Sequence, residues 1–120
     1  FWVNYTNNIY SLLKKIDLVV VPSINYESFG RIAVEAMALN KPVITSNFGG
    51  LKEVNINNKT GFAINVKNKK LFSNKVIELM KNKKKRILFG NEGNKNYRTK
   101  FTSRIMANCY YKFVANKLKN

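Results

Sequence analysis

The sequence predicts an α/β fold: a parallel, layered sheet followed by a purely helical tail. Three observations predict it. Short apolar runs at residues 18–21, 43–45 and 62–66 have the length and β-branched content of buried parallel strands. Helix-period segments separate them, so strand and helix alternate from residue 6 to residue 80. Beyond residue 80 only helical patterns remain. With 120 residues, of which 45% are hydrophobic, the chain suits one domain with a modest core and is too apolar for wholesale disorder.

Residues 7–16 carry Ile9, Leu12, Leu13 and Ile16 at i, i+3, i+4 and i+7, one apolar helix face that Thr6 or Asn7 can cap. Leu18-Val19-Val20-Val21, ended by Pro22, reads as a strand buried on both faces. Residues 23–28 form a polar loop, and 30–39 a helix rich in Ala, Ile and Met. Asn40 can end that helix in the left-handed conformation. After Lys41-Pro42, Val43-Ile44-Thr45 is the second strand, Phe48-Gly49-Gly50 a turn and 51–54 a single helical turn. Residues 57–61 are a second turn cluster and 62–66 the third strand. Asn68 can cap a helix to Met80 whose apolar set is Leu71, Phe72, Val76, Ile77, Leu79 and Met80. Residues 83–98 read as a weaker helix interrupted by Gly90 and Gly93, and Thr102 can cap a last helix to Leu118.

The chain holds 22 Lys plus Arg against 6 Asp plus Glu, a formal charge of +16. Lysine far outnumbers arginine, whose only members are Arg31, Arg86, Arg98 and Arg104, and nucleic-acid readers favour the arginine fork. Lysine travels with abundant asparagine, which reads as composition bias on a solvated surface. Attraction to an anionic membrane or acceptor, and nucleic-acid binding through the dense Lys83 to Arg86 cluster, stay open as alternatives. Tyr97, Phe101, Tyr110 and Tyr111 could stack on bases, but their helical spacing reads as core, and Cys109 reads as a small buried residue. The single cysteine excludes an internal disulfide, and the absence of histidine excludes imidazole catalysis and the usual zinc sites in this chain. No apolar run approaches the 18 or so residues of a membrane span.

The unusual segment runs from Asp17 to Gly50. A buried strand ends at Pro22-Ser23, a loop delivers Glu27, and Phe29-Gly30 opens a helix. Ligands of open parallel sheets sit beyond the carboxyl ends of strands. A helix N-terminus there offers unpaired N–H groups and a positive dipole end to a diphosphate, and Gly30 allows close approach. Helical geometry places Ala33, Ala36 and Met37 on one side and Arg31, Glu35 and Leu39 on another. Glu35 therefore has two readings: the partner of Arg31 in an i, i+4 ion pair, or a carboxylate that accepts from two vicinal sugar hydroxyls.

These residues resemble a family. Val21-Pro22-Ser23, Glu27-Ser28-Phe29-Gly30-Arg31, Glu35-Ala36-Met37-Ala38, Pro42-Val43-Ile44, Gly49-Gly50, Glu53 and Thr60-Gly61 look like the donor-binding signature of group 1 glycosyltransferases, retaining enzymes of the GT-B fold. The resemblance spans about residues 8–66. Ser28 stands where the family often has Pro, and Asn40 where Gly is usual. The implied fold is a Rossmann-like parallel sheet, the C-terminal portion of a GT-B donor domain. Residues 1–80 would be a partial nucleotide-sugar-binding domain and residues 81–120 its C-terminal helical extension.

By resemblance, Glu27 contacts hydroxyls of the donor sugar and takes the catalytic position. Phe29, Gly30 and Arg31 form the turn that holds sugar and distal phosphate. Glu35 binds the ribose hydroxyls, Ser23 touches the nucleotide, and Glu53 is structural. The implied reaction is transfer of a glycosyl group from a nucleoside diphosphate sugar with retention, by a front-face route, without metal or cofactor. The implied partners are the nucleotide sugar and a glycan or lipid-linked acceptor, with no nucleic acid. The implied setting is cytoplasmic, with peripheral membrane contact left open.

The resemblance further implies that the acceptor-binding domain and the first part of the donor domain lie outside this chain. The chain alone is then expected to lack turnover and to expose an apolar strand edge at residues 18–21. A non-catalytic subunit of a split transferase and a basic nucleic-acid binder remain the competing functions.

Overall fold

The computed structural model describes residues 3–118. The elements are α1 (Ile9–Lys15), β1 (Val19–Val21), α2 (Arg31–Ala38), β2 (Val43–Ser46), α3 (Leu51–Val54), β3 (Gly61–Ile64), α4 (Lys69–Lys81), α5 (Lys83–Lys100) and α6 (Ser103–Leu118). The strands form one parallel sheet in the order β1-β2-β3, with Val20 beside Ile44 and Ile44 beside Phe62. Strands in sequence order joined by helices give the parallel α/β layering that the sequence predicts.

Two apolar layers sandwich the sheet. On one side Val19, Val21 and Val43 pack with Leu13, Ala33, Ala36, Met37, Leu51 and Val54. On the other Ile44, Phe62 and Ile64 pack with Leu79 and Phe89. Ala33, Ala36 and Met37 are fully buried, so α2 turns the predicted face inward. Burying a side chain such as Met37 contributes about 1.5–3 kcal/mol.

Several elements differ from expectation for identifiable reasons. The cap of α1 is Asn8, whose side chain accepts from Ser11 N–H at 3.1 Å, while Thr6 Oγ1 accepts from Asn8 N–H. Ile16 is extended, because the chain must turn into β1. β1 is not buried on both faces: Val19 and Val21 are covered, but Val20 is 37% exposed. Among the described residues β1 pairs only with β2, so it is an edge strand with that edge open. β3 stops at Ile64, because the Asn65 side chain accepts from Lys67 N–H and its carbonyl from Asn68 N–H, a turn that ends the ladder. In α4 only Leu79 is buried, and Leu71, Ile77 and Met80 are exposed.

The largest difference is α5. It runs unbroken for 18 residues through both glycines. Gly90 lies against the Asn40 carbonyl, which an added Cβ would approach to 2.0 Å, and Gly93 lies on Met37. The glycines let α5 pack closely across the end of α2. Asn94 Nδ2 donates to the carbonyls of Met37 (3.2 Å) and Ala38 (2.8 Å), and Asn40 takes the expected left-handed conformation at φ 57°. Tyr97 and Phe101 pack against the core as expected, but Tyr110, Tyr111 and Cys109 are exposed, since no residue of α6 is buried.

Candidate functional site

The loop between β1 and α2 carries most of the candidate residues. Gly30 is the N-cap of α2 at φ 83° and ψ 48°, a left-handed conformation that side chains rarely tolerate. The chain thereby doubles back, and Glu27 reaches the helix start. Glu27 Oε1 accepts from Gly30 N–H at 3.1 Å, and Oε2 from Ser23 Oγ at 3.4 Å. A carboxylate offers about four acceptor positions, so Glu27 keeps capacity for further hydroxyl donors.

The loop after β2 clamps this arrangement from below. Gly50 N–H donates to the Glu27 carbonyl at 2.8 Å, and a Cβ at Gly49 would stand 2.3 Å from that same oxygen. Phe29 meets Phe101 edge-on with ring centroids 5.8 Å apart, and Tyr26 meets Phe48 at 6.0 Å. A buried polar network fixes the floor. Asn55 Nδ2 donates to Thr45 Oγ1 and to the Phe62 carbonyl, both at 3.0 Å, while Asn55 Oδ1 accepts from Thr60 Oγ1 at 2.8 Å.

Glu35 stands one turn into α2, about 6 Å along the axis from Arg31. Its Oε1 accepts from Arg31 Nε at 2.9 Å, so the ion pair forms. The side chain of Arg31 is 84% exposed and that of Glu35 16%, which leaves the pair at the surface with the carboxylate set inward. No other donor reaches Glu35 among the described residues.

The structure thus joins Ser23, Glu27 and Gly30 into one hydrogen-bonded cluster and Arg31 with Glu35 into a second on the same helix. Phe29, which precedes Gly30 in the same turn, faces Phe101. Of the amides at the turn, Gly30 N–H is already taken by Glu27. Glu53 is exposed, and no side-chain partner holds it among the described residues.

Beyond the strand ends lies a cleft of about 340 Å³, with Ser23, Ser46, Asn47, Phe48, Asn65 and Lys67 in its wall. The Ser46 hydroxyl is buried without a partner. Sequence reasoning did not single out Ser46 or Asn55, and it read Phe101 as core without placing it against Phe29; a hydroxyl at the end of an otherwise apolar strand was the available signal for Ser46. A larger cavity of about 450 Å³ is apolar, formed by Pro22, Ile24, Val66, Phe72, Val76 and Ile77 with Lys69 and Ser73 at its edge. Neither glutamate lines either cavity.

The basic cluster in the first turn of α5 is partly spent inside the fold. Lys85 and Lys75 both bond Glu78, whose carboxyl is held below the ordinary carboxylate range, first by the hydrogen bond from Lys75 and then by that from Lys85. Arg86 donates to the carbonyls of Leu79 (2.7 Å) and Met80 (2.8 Å). Two of the four cations that a nucleic-acid reading would use are therefore engaged.

Comparison with known proteins gives the family and the fold. The family model for group 1 glycosyl transferases matches residues 1–96. An uncharacterised glycosyltransferase of Methanocaldococcus jannaschii is 38% identical over 92 residues, which cover 77% of this chain and 26% of that protein. The C-terminal domain of the group 1 glycosyl transferase LpcC from Francisella tularensis superposes with a TM-score of 0.74 at 27% identity, covering 86% of this chain and 52% of that one. Anabaena HepE, solved with UDP-glucose, superposes with a TM-score of 0.87 over 95% of this chain and 31% of its own, and at 22% identity this likeness speaks for the fold alone. The chain spans about a quarter of the length of the curated relatives it matches first.

Proposed function

The chain belongs to the group 1 glycosyl transferases, and from that premise we propose that it is the part of a transferase that holds a nucleoside diphosphate sugar. One observation carries the reading: Glu27 is folded onto the N-terminus of α2 by a left-handed Gly30, beyond the carboxyl end of a parallel strand. Such an arrangement sets a hydroxyl-accepting carboxylate beside amides and a helix dipole that favour phosphate.

In this proposal Glu27 and Ser23 face the donor sugar, while the remaining N–H groups of the turn take the distal phosphate. Glu35 accepts from the ribose diol, and Arg31 swings between its carboxylate and the diphosphate. The reaction of the whole protein is glycosyl transfer with retention. The departing diphosphate carries the developing charge into fixed dipoles, which need no reorganisation at the moment of reaction. Glu27 and Glu35 position the donor and exchange no proton. The acceptor, glycan or lipid-linked, is met by residues outside this chain, so the chain by itself turns over no substrate.

The similar Anabaena protein makes uridine diphosphate sugars the first donors to test. Titration calorimetry or thermal shift with UDP-glucose, UDP-N-acetylglucosamine and GDP-mannose should find binding to at least one. Glu35→Ala should weaken that binding at least about tenfold while changing stability by under about 0.5 kcal/mol, since an exposed pair contributes no more. Binding of all three sugars unchanged in Glu35→Ala would end the assignment of Glu35. The open edge of β1 favours a second reading, a subunit of a split transferase, which mixing with a separate N-terminal chain would reveal as restored activity.

A further inference from the structure

We propose that Phe101, at the corner where α5 ends, is a positioning residue for the turn of Phe29, Gly30 and Arg31. The inference deepens the donor-site reading and rests on it for its ligand. Phe29 and Phe101 meet edge to face, with ring centroids 5.8 Å apart and ring planes at 71°, an arrangement that aromatic pairs prefer. Phe101 lies past residue 96, where the family match ends. That match therefore says nothing of this contact, which joins the end of α5 to the residue just before Gly30.

The path from the core to the Phe101 ring is stiff. Toward the rear of α2, Gly90 lies against the Asn40 carbonyl and Asn94 Nδ2 holds the Met37 and Ala38 carbonyls. Further along α5, Asn96 Nδ2 donates to the Val54 carbonyl at 3.1 Å, which ties the helix to α3 as well. Tyr97 and Phe101 pack on the same apolar layer as α2. Phe101 N–H closes the last turn on the Tyr97 carbonyl at 2.9 Å. So α5 runs along α2 in the opposite direction, from Asn40 behind it to Phe29 in front. The same number of residues separates positions 90 and 101 as separates 29 and 40, about 16 Å of helical rise. Thus α5 is a splint for α2, and its far end sets an aromatic ring against the turn.

What the ring adds is preorganisation. From the strand side, Glu27 Oε1 takes Gly30 N–H and the Glu27 carbonyl takes Gly50 N–H. Phe29 itself is 40% exposed. Without the Phe101 ring, Phe29 is freer to turn outward, and the peptide it shares with Gly30 goes with it. A ligand that needs the turn in place then binds only the fraction that has it, and its apparent affinity falls by that fraction. An edge-to-face pair is worth a factor of about two to twelve, which bounds the effect.

The test uses the 120-residue chain with Phe101→Leu, Phe101→Tyr, Phe29→Leu and the double Leu variant. Leucine keeps apolar bulk against the core and removes the ring edge, while tyrosine keeps the ring. Without ligand, hydrogen exchange at the Gly30 and Gly50 amides should quicken about threefold to tenfold in Phe101→Leu. Phe101→Tyr should match the parent. Amides of residues 43–46, in β2, should keep their rates, whereas a merely structural Phe101 would speed them all together. With whichever of the three nucleotide sugars the parent binds, the dissociation constant should rise by the same factor. The double variant should bind no more weakly than either single one.

Unchanged exchange at both turn amides in Phe101→Leu overturns the inference, and so does a rise that β2 shares. Sugar affinity equal to the parent's, or losses that add in the double variant, overturn it too. If the turn loosens as expected but no sugar binds even the parent, the donor-site reading fails while the hold of Phe101 on the turn stands.

Discussion

Glu27 caps the helix it precedes: its carboxylate takes the backbone N–H of Gly30 at 3.1 Å while its own carbonyl takes Gly50 N–H at 2.8 Å. One residue thus ties the loop to α2 above and to the β2–α3 turn below. The group proposed to meet the sugar also holds the shape of its own loop.

Removing that side chain should cost stability as well as ligand. Glu27→Ala should lower unfolding free energy by about 1 kcal/mol, as the loss of a helix cap does. Glu27→Gln keeps an acceptor for Gly30 N–H and should recover about half of it. Urea denaturation of the three proteins measures the difference.

The β2–α3 turn tolerates no side chain. An added Cβ at Gly50 would meet the Ser28 carbonyl at 2.2 Å and the Phe29 Cα at 2.8 Å, both backbone. Gly50→Ala should therefore destabilise by about 1–3 kcal/mol, or unfold the chain, because the loop must shift bodily. Chemical denaturation reads the loss, and an unchanged midpoint would contradict the close packing described.

Asn55 supports the floor through three buried hydrogen bonds, to Thr45, Phe62 and Thr60. Asn55→Ala would leave the Phe62 carbonyl and the Thr60 hydroxyl short of a partner. A cost of about 1–3 kcal/mol is expected. Hydrogen exchange should show the amides of residues 55–61 opening first.

Glu78 gives the fold a defined acid sensitivity. Its folded-state pKa lies below the ordinary value of 4.5, chiefly through the bond from Lys75 and next through that from Lys85. The unfolded chain therefore takes up the proton more readily. The stabilisation is fully present above that ordinary value and fades as pH falls through the folded value. Parent and Glu78→Gln should differ in melting temperature at pH 7, and the gap should close toward pH 3 and narrow in high salt, as fits a part-exposed cluster (pH values approximate, about one unit).

Much of this was legible in the sequence. The three strands, the inward face of α2, the left-handed Asn40 and the ion pair of Arg31 with Glu35 follow from periodicity and residue type. What was not legible depends on three-dimensional neighbours. The run at residues 18–21 looks buried on both faces, yet Val20 faces an uncovered side because β1 stands at the sheet edge. Gly90 and Gly93 look like breakers, since propensity cannot reveal that the Asn40 carbonyl and Met37 occupy the space a Cβ would need. Cys109, Tyr110 and Tyr111 look like core at helical spacing, which cannot distinguish a packed face from a bare one. The bonds from Ser23 and Gly30 to Glu27 follow from the φ of one glycine, invisible in composition.

The crossing of α5 over α2 has a mechanical consequence. The rear of α2 is pinned where Gly90 abuts Asn40 and Asn94 holds the last two helical carbonyls. Its front is seated as well: Ala33 is fully buried, and a Cβ at Gly30 would strike Leu51 of α3. With both ends held, the response to a bound group at Arg31 and Glu35 falls to their side-chain torsions, and the exposed Arg31 guanidinium is the part free to travel.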